Sequence, residues 1–584
     1  MSISSREGLL VCAIDFGTTY SGYAYSLRSD FAEEPLKIFI PNWNAPSSVL
    51  VSYKTPTTLL LGKDNEFVAF GYEAESKYSE LAEEDYHRDY SYFRRFKMEL
   101  SKKVGEGKRL TTDTKIKEIT GKREMLALDI FVHSIKYFIR QVLDTVRRKG
   151  TGVRENEISW VLTVPAIWSD PAKQFMRAAA EEAGIPRHRL MLALEPEAAS
   201  IYCSYLPLTK LEGGEVGVFN AGSKYLVLDA GGGTIDITVH EVTSDGDLKE
   251  LEKASGGDWG GTYVDMTFKS FLMEVVGEQY MEAYCLSHTA DYIELFRDFE
   301  MKKRKKTAVP QSKVTMKIPA SFTEWYKEYT NGIDIIETTK KSKYNKSMKW
   351  EGDKLRITQA CFDNFFAPAC TGIIDHITDL LENPHLSGTD IILMVGGFSE
   401  SPILQKYIHE HFKCHVVIPR DAGLAVLKGA VLFGHNPRAI VARVTKYSYG
   451  VASYEKFVPK HHKPTKKERD FCADVFDVHV KKGTTLHTEY ASPKRIYRPN
   501  RKDQLELDIE LYVSEQDKLP KYIDDEGCHY LGKLTVEFPN TKGGLNREVA
   551  VQLIFGGTEL RVKAENEATR DIFTAKFDFL GNEP

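Results

Sequence analysis

The chain has 584 residues, of which 42% are hydrophobic, and its formal net charge is −5. This length predicts more than one domain, and the hydrophobic fraction is sufficient for well-packed cores. Lysine and arginine are interspersed with aspartate and glutamate, so the charge gives no electrostatic case for a nucleic-acid partner. No apolar run is long enough to span a bilayer, which predicts that the protein has no membrane partner.

The cysteines indicate the cellular compartment in which the protein resides. Eight of them are scattered along the chain without a Cys-x-x-Cys pair, which is typical of reduced thiols rather than of disulfides or a zinc site. The early apolar run, residues 9–14, lacks a basic leader and continues into Asp15, so it predicts a strand and not a signal peptide. We therefore expect a cytoplasmic protein.

An apolar stretch near the N-terminus ends in an acidic residue, and a Gly-Thr turn and a second apolar stretch follow it. This alternation predicts a hairpin of two buried strands. Because glycine has no Cβ, the backbone N–H groups of such a turn can approach a ligand closely, which suits a phosphate. The residues of this first hairpin are Asp15, Gly17, Thr18, Thr19 and Tyr20.

The same pattern occurs again over residues 225–237, with three glycines at the turn and an aspartate on either side. A hard cation such as Mg²⁺ prefers carboxylates, often through water. One such turn alone could equally be a plain hairpin, but two of them far apart in the sequence indicate two related halves that hold one polyphosphate. The residues of this second hairpin are Asp229, Gly231, Gly232, Gly233, Thr234 and Asp236.

The two hairpins together resemble those of the actin-like ATPases and, more closely, those of the heat-shock protein 70 family, particularly its divergent twelfth subfamily. The resemblance covers residues 11–440, apart from a poorly matching insert at roughly 320–350, and residues 447–580 more weakly. It implies an α/β, actin-like domain with two related lobes built on ribonuclease-H-like sheets. It also implies ATP or ADP with Mg²⁺ as cofactors.

The resemblance assigns roles around the phosphates. Asp15 and Asp229 would order Mg²⁺ through water, with Asp236 beside them. Lys97 would reach the γ-phosphate, although Arg94 and Arg95 are alternatives within a stretch that also reads as a helix with buried aromatic residues and solvated arginines.

A Glu-Pro-x-Ala-Ala helix start carries a further part of the resemblance. Its glutamate is Glu195, and Pro165 ends the strand that comes before it in the chain. In the family, this proline and this glutamate couple the nucleotide state to domain movement. The glutamate could also position water or the metal near the phosphates.

Further nucleotide contacts follow by resemblance. Glu400 stands where the family has an arginine that stacks on adenine, and a carboxylate cannot stack in that way, so selection of adenine over guanine stays open. A basic run at 302–306 also reads as a solvated helix face or a nuclear-import patch, and the Gly-Gly pair before the helix as a tight turn. The residues assigned to the nucleotide here are Gly260, Gly261, Glu300, Lys303, Arg304, Gly396, Gly397, Ser399 and Glu400.

The sequence pattern changes after this region. Residues 1–436 form the predicted nucleotide-binding domain, and residues 437–446 the linker, which is apolar and basic where the family has an apolar and acidic one. Short alternating strands over residues 447–584 predict a β-sandwich. It resembles the family's peptide-binding domain, and we expect the helical lid that usually follows to be absent.

Three functions fit these observations. The first is a chaperone-like protein whose slow Mg²⁺-dependent ATP hydrolysis controls the binding of a polypeptide client. The second is a nucleotide-sensing module that captures a protein partner without turnover, and the third an actin-fold small-molecule kinase. The sequence does not identify the client or the oligomeric state.

Overall fold

The structure, a computed structural model, describes residues 8–43, 52–105, 110–213, 219–304, 313–538, 540–555, 557–567, 570, 572–575 and 579–580. Its helices and strands fall into three regions along the chain, which we call lobe one, lobe two and the C-terminal region. Among the described residues, no helix is both long and apolar enough to cross a membrane. All eight cysteines are free thiols.

Lobe one is built on a five-stranded sheet of order β10-β9-β1-β2-β3, in which β1 pairs antiparallel with β2 and parallel with β9. Every residue of β1 and β9 is buried because helices cover the sheet, and this explains their nearly continuous apolar sequences. The elements are β1 Leu10–Phe16, β2 Tyr20–Leu27, α1 Arg28–Glu33, β3 Thr55–Pro56, β4 Thr58–Leu61, β5 Phe67–Phe70, α2 Tyr72–Glu83, β6 Ser91–Arg94, α3 Met98–Gly105, β7 Lys115–Lys117, β8 Glu124–Leu126, α4 Ala127–Arg148, β9 Ile158–Val164, α5 Asp170–Glu182, β10 Leu190–Leu194 and α6 Glu195–Ser204.

Lobe two repeats this plan around an eight-stranded sheet of order β11-β19-β18-β12-β13-β14-β20-β24, in which β12 pairs antiparallel with β13 and parallel with β18. Its elements are β11 Leu211–Glu212, β12 Lys224–Ala230, β13 Ile235–Val242, β14 Leu248–Gly257, α7 Gly261–Val276, α8 Glu278–Ser287, α9 Thr289–Arg304, β15 Lys313–Lys317, α10 Ala320–Tyr329, α11 Ile335–Lys341, β16 Met348–Glu351, β17 Lys354–Thr358, α12 Gln359–Asp363, α13 Ala367–Leu381, β18 Thr389–Val395, α14 Pro402–His411, β19 His415–Pro419, α15 Ala425–His435 and β20 Ile440–Val444.

The two lobes share one apolar core, which brings β1 of lobe one and β12 of lobe two onto the helices α6 and α15. The two helices approach so closely that a Cβ on Gly429 would lie 1.7 Å from the carbonyl oxygen of Ala198. Only glycine fits that contact. The poorly matching insert contains α10, α11 and most of β16, which pairs with β17 just after it in the small sheet β15-β17-β16. These elements pack into the core of lobe two.

The C-terminal region contains antiparallel sheets of order β22-β23-β21-β27-β28 and β25-β29-β30-β31, with β26 paired to β29. The two sheets bury their apolar faces in a single core, to which Val451 and Leu511 contribute from one sheet and Val551 and Val562 from the other. The elements are β21 Ser448–Lys456, β22 Lys467–Glu468, β23 Phe471–Val480, β24 Thr485–His487, β25 Tyr490–Ala491, β26 Arg495–Tyr497, β27 Glu506–Ser514, β28 Cys528–Glu537, β29 Val549–Phe555, β30 Arg561–Asn566 and β31 Ile572–Ala575.

Half of the expected linker, residues 437–446, forms the strand β20. β20 pairs parallel with β14 of lobe two, and β24 of the C-terminal region adds to its other edge. Arg443 of β20 makes a bidentate ion pair with Glu197, with both Nε–Oε1 and Nη2–Oε2 at 2.7 Å. The basic character noted in the sequence thus has a buried acidic partner in lobe one.

Glu250 on β14 supports the same strand, because its Oε2 accepts a hydrogen bond from the Val444 backbone N–H at 2.8 Å. Burial in the first place, and then Glu197, raise the pKa of Glu250 from 4.5 to about 8. The folded chain therefore binds more protons than the unfolded chain between these two values, so this group lowers the free energy of unfolding as pH rises.

We expect Glu250→Gln to flatten the fall in stability between about pH 4.5 and pH 8, because an amide keeps the hydrogen bond and does not titrate. Urea unfolding at several pH values measures this effect. Glu212→Gln, an exposed position in the same sheet, should leave the profile as in the wild type. An unchanged profile in Glu250→Gln would show that Glu250 titrates normally.

Candidate functional site

The two predicted hairpins face each other across the lobes. β1 and β2 form the first, and Asp15 lies at the end of β1. β12 and β13 form the second, in which Asp229 and Asp236 are directly paired across the strands. A Cβ on Gly232 would lie 2.2 Å from Thr19 Oγ1, and one on Gly233 would lie 2.5 Å from Thr18 Oγ1. The turns therefore meet at a distance that only glycine allows.

A third glycine turn is held against the second hairpin by backbone hydrogen bonds. Gly260 N donates to Gly233 O at 3.2 Å, and Gly261 N donates to Gly231 O at 3.1 Å. Gly261 is also the first residue of α7, a helix of 16 residues. The site thus combines two hairpin turns with a helix N-terminus, and such N–H groups favour phosphate.

Four carboxylates are gathered below the turns: Asp15, Glu195, Asp229 and Asp236. Asp15 Oδ2 pairs with Lys54 Nζ at 2.6 Å, and its Oδ1 accepts from Thr163 Oγ1 at 3.0 Å. Asp236 Oδ1 accepts from the Ile167 backbone N–H at 2.9 Å. For Asp229, the hydrogen bonds and ion pairs of the described residues provide no partner.

The electrostatics of this cluster favour a bound cation. Burial, followed by the charges of Glu195, Asp236 and Asp15, raises the pKa of Asp229 well above its ordinary value. Burial likewise raises the pKa of Glu195 and of Asp236. Within the described ranges, no three acidic, histidine or cysteine side chains are arranged as direct metal ligands. The buried carboxylates fit a hard cation such as Mg²⁺, which prefers oxygen ligands.

Lys97 is the cation that the fold brings to these carboxylates. It is only 2% exposed, and its Nζ lies 2.6 Å from Glu195 Oε1. Arg95, an alternative in the sequence, instead crosses to lobe two and pairs with Asp265 at 2.6 Å. The expectation that the arginines of this stretch lie in water is therefore wrong for Arg95.

The predicted adenosine contacts of α9 lie at the boundary between the lobes. Lys303 is buried, where it pairs with Asp265 at 2.7 Å and with Glu300 at 2.5 Å and donates to Gly261 O at 2.9 Å. The Arg304 guanidinium lies 4.6 Å from the centre of the Tyr20 ring in the first hairpin. Lys303 thus does not belong to a solvated helix face, whereas Arg304 is exposed while it lies over the Tyr20 ring. Residues 305–306 of the basic run lie outside the described residues.

The last glycine turn follows β18. Gly396 has φ +86°, and a Cβ there would lie 2.4 Å from Asp229 Oδ1, so this turn also contacts the carboxylate cluster. Beside Gly397, in contrast, a Cβ would meet no atom within 4 Å. The Ser399 hydroxyl donates to Val395 O at 2.6 Å and is fully buried, which makes its local role structural.

The Glu400 carboxylate is held by a neighbouring turn. Its Oε1 accepts from the backbone N–H of Gly423 at 3.1 Å, and a Cβ on Gly423 would lie only 3.0 Å from this oxygen. The residue that departs from the family pattern therefore has a local structural partner.

Known proteins resemble this chain over most of its length. A family model described as "Hsp70 protein" matches residues 139–464. Human "Heat shock 70 kDa protein 12A" is 34% identical, over 99% of this chain and 93% of the human protein. The chain belongs to the heat-shock protein 70 family. Membership implies an ATP-binding protein with an actin-like, two-lobed domain.

Two further relatives define the position of this Hsp70 chain within the family. Human "Heat shock 70 kDa protein 12B" is 35% identical, over 98% of this chain and 91% of its own length. "Chaperone protein DnaK" of Thermoplasma volcanium is 26% identical, over 54% of this chain and 46% of its own. The resemblance to the twelfth subfamily is thereby confirmed.

The sequence pattern assigned no role to two residues that the structure places in this Hsp70 site. Lys54 pairs with Asp15, and Asp265 receives both Arg95 and Lys303. Lys54 lies beside no motif, and it reaches Asp15 only because β3 pairs with β2. Asp265 stands four residues after Gly261 on α7, a spacing that puts it one helical turn into the site.

We expect Gly232→Ala to abolish nucleotide binding in a protein that still folds. The added methyl would lie 2.2 Å from Thr19 Oγ1 and would push the two hairpin turns apart. Calorimetric titration with ATP and Mg²⁺ measures the loss, and circular dichroism checks the fold. Wild-type affinity in this variant would show that the turns do not need their close approach.

Proposed function

We propose that this chain is an ATP-dependent, chaperone-like switch, in which slow hydrolysis of ATP to ADP and phosphate controls the capture of a polypeptide. One observation carries this proposal: two glycine hairpins from different lobes meet above three buried carboxylates, the partly buried Glu195 and Lys97. The hairpin turns and the Gly260-Gly261 turn would hold the β- and γ-phosphates.

The chain's own groups would work by position and charge, as is general for phosphoryl transfer. Asp15 and Asp229 would orient the waters of the metal ion, and Asp236 would fix the second hairpin against the Ile167 peptide group. Lys97, held by Glu195, would offset charge that develops on the γ-phosphoryl group. Bound Mg²⁺ would supply the remaining neutralisation of the phosphate oxygens.

The C-terminal region is proposed as the polypeptide-binding part, a β-sandwich that begins at about residue 447 after the nucleotide-binding domain (1–436) and the linker (437–446). Three apolar side chains are exposed on β21, on β23 or between these strands: Tyr454 at 49%, Val458 at 40% and Phe471 at 50%. They offer an apolar surface to an extended peptide. The free thiols favour a reducing compartment such as the cytoplasm.

A second candidate is a module that binds nucleotide without turnover and captures a protein partner. Glu400 supports this second candidate. Its carboxylate accepts a hydrogen bond from the Gly423 backbone N–H, and it provides no cation that could stack on adenine. Direct contacts between the lobes, Arg95 with Asp265 and Arg304 over Tyr20, also occupy the adenosine side of the site.

Calorimetric titration of the full chain with ATP, ADP and GTP, with and without Mg²⁺, tests both candidates. Binding that requires Mg²⁺, prefers adenine and is lost in Asp229→Asn is the expected result. Asp245→Asn, on an exposed turn of the same lobe, is the matched control and should bind as the wild type does. Single-turnover hydrolysis then separates the switch from the module, and no binding by the folded wild type would overturn the nucleotide site.

A further inference from the structure

A cavity lies where lobes one and two meet the C-terminal region. It is close to the nucleotide site, because Ala166 and Trp168 of its wall flank Ile167, whose backbone N–H donates to Asp236. Its volume is about 110 Å³. One water molecule needs only about 10–15 Å³ of such a volume, so the cavity has room for a small molecule. Its walls come from the N-terminal part of α5, from β14, from the segment after β20 and from the end of β29.

Three lysines line this cavity, and each comes from a different element. Lys173 lies on α5, Lys253 on β14, and Lys446 between β20 and β21. Lys446 Nζ donates to the Ile167 carbonyl oxygen at 3.0 Å, and Lys173 Nζ lies 4.0 Å from Asp170. Lys253 has no ion pair or hydrogen bond among the described residues.

The acidic groups of the cavity do not balance these charges. Two charged side chains of the cavity wall already have bidentate partners outside it. Glu559 pairs with Arg177, and Arg443 pairs with Glu197. Asp170 and Glu250 remain against three ammonium groups, so one positive charge is left even when both acids are ionised. Glu515 also acts on Lys446, but it is exposed and lies outside the cavity wall.

The direction in which the pKa of Lys446 is shifted agrees with this surplus of positive charge. Burial in the first place, and then the charge of Lys173, lower the pKa of Lys446, with Lys253 acting in the same direction. The raised pKa of Glu250, about 8, removes one of the two balancing charges near neutral pH. An anion in the cavity would relieve the repulsion among the three lysines.

We propose that this cavity binds a small oxyanion with two negative charges, of the phosphate or dicarboxylate type, held by Lys173, Lys253 and Lys446. Lys173 and Lys253 belong to the nucleotide-binding lobes, whereas Lys446 is the last residue of the predicted linker, directly before the C-terminal region. The anion therefore bridges the two parts of the chain and favours their docked arrangement. The three lysines are not among the residues proposed to hold the nucleotide, and the inference does not depend on the function proposed for the nucleotide site.

The test titrates the full chain with inorganic phosphate and, separately, with malonate, at constant ionic strength set by chloride. Saturable binding is expected for at least one probe, and the stronger probe identifies the chemistry. In Lys253→Gln and Lys446→Gln we expect the dissociation constant to rise roughly tenfold or more, the usual consequence of losing a charge-assisted hydrogen bond. Lys249→Gln, on the same strand but paired with Glu241, should bind as the wild type does.

Gly232→Ala separates this site from the nucleotide site, because its turn lies in the hairpin and not in the cavity. Anion binding that survives in Gly232→Ala and is lost in Lys253→Gln supports the proposal. Absence of saturable binding to the wild type, equal binding by Lys253→Gln, or loss of binding in Gly232→Ala would each overturn it.

Discussion

Lys97→Met should lower the single-turnover rate of ATP hydrolysis by roughly 10²- to 10³-fold, the usual effect of removing one preorganised electrostatic contact to a transition state. Methionine preserves the apolar stem, but it removes the ammonium group that lies 2.6 Å from Glu195 in a nearly fully buried position. ATP affinity should change much less than the rate, because the backbone of the glycine turns holds most of the phosphate oxygens in our proposal.

Lys77→Met is the matched control for this variant. Lys77 lies on α2 of the same lobe, where its side chain is 42% exposed and pairs with Glu73. Its loss should leave hydrolysis unchanged. A rate in Lys97→Met equal to that of the wild type would remove Lys97 from the mechanism, and equal losses in both variants would indicate a general effect of lost charge.

Arg443→Ala should cost about 3–5 kcal/mol in the free energy of unfolding, the range expected when one member of a buried ion pair is removed. The side chain of Glu197 is only 2% exposed, and it would keep its charge without its bidentate partner. Urea unfolding measures the cost. The double variant Arg443→Ala with Glu197→Gln should recover part of it, because the amide carries no charge.

An exposed pair of the same kind provides the control. Arg498 and Glu548 pair in the C-terminal region with side chains that are 54% and 37% exposed. Arg498→Ala should therefore change stability by about 1 kcal/mol or less. If Arg443→Ala were equally mild, β20 would be held by its strand pairing alone and the ion pair would contribute little.

The two hairpins could be predicted from the sequence because all their determinants are local. Apolar strands, a glycine turn and an aspartate at a fixed position lie within about a dozen residues, and the structure has β1, β2, β12 and β13 at those positions. Their contact with each other was expected only from the repetition of the pattern. The family resemblance was confirmed by relatives that match nearly the whole chain.

The side-chain partners could not be predicted in the same way, since they depend on tertiary pairing. Arg95 and Lys97 are two residues apart, yet one pairs with lobe two and the other with the carboxylate cluster. Spacing alone did not separate them. Similarly, nothing local to Glu400 indicates that its carboxylate would accept a hydrogen bond from Gly423, 23 residues later.

The peptide group of Ile167 serves two regions of the molecule at once. Its N–H donates to Asp236 in the second hairpin, while its carbonyl oxygen accepts from Lys446 at the start of the C-terminal region. A shift of this peptide plane that improves one bond would strain the other. If a partner that displaces Lys446 changes nucleotide affinity through this peptide group, thermodynamic reciprocity requires nucleotide to change the affinity for that partner by the same factor.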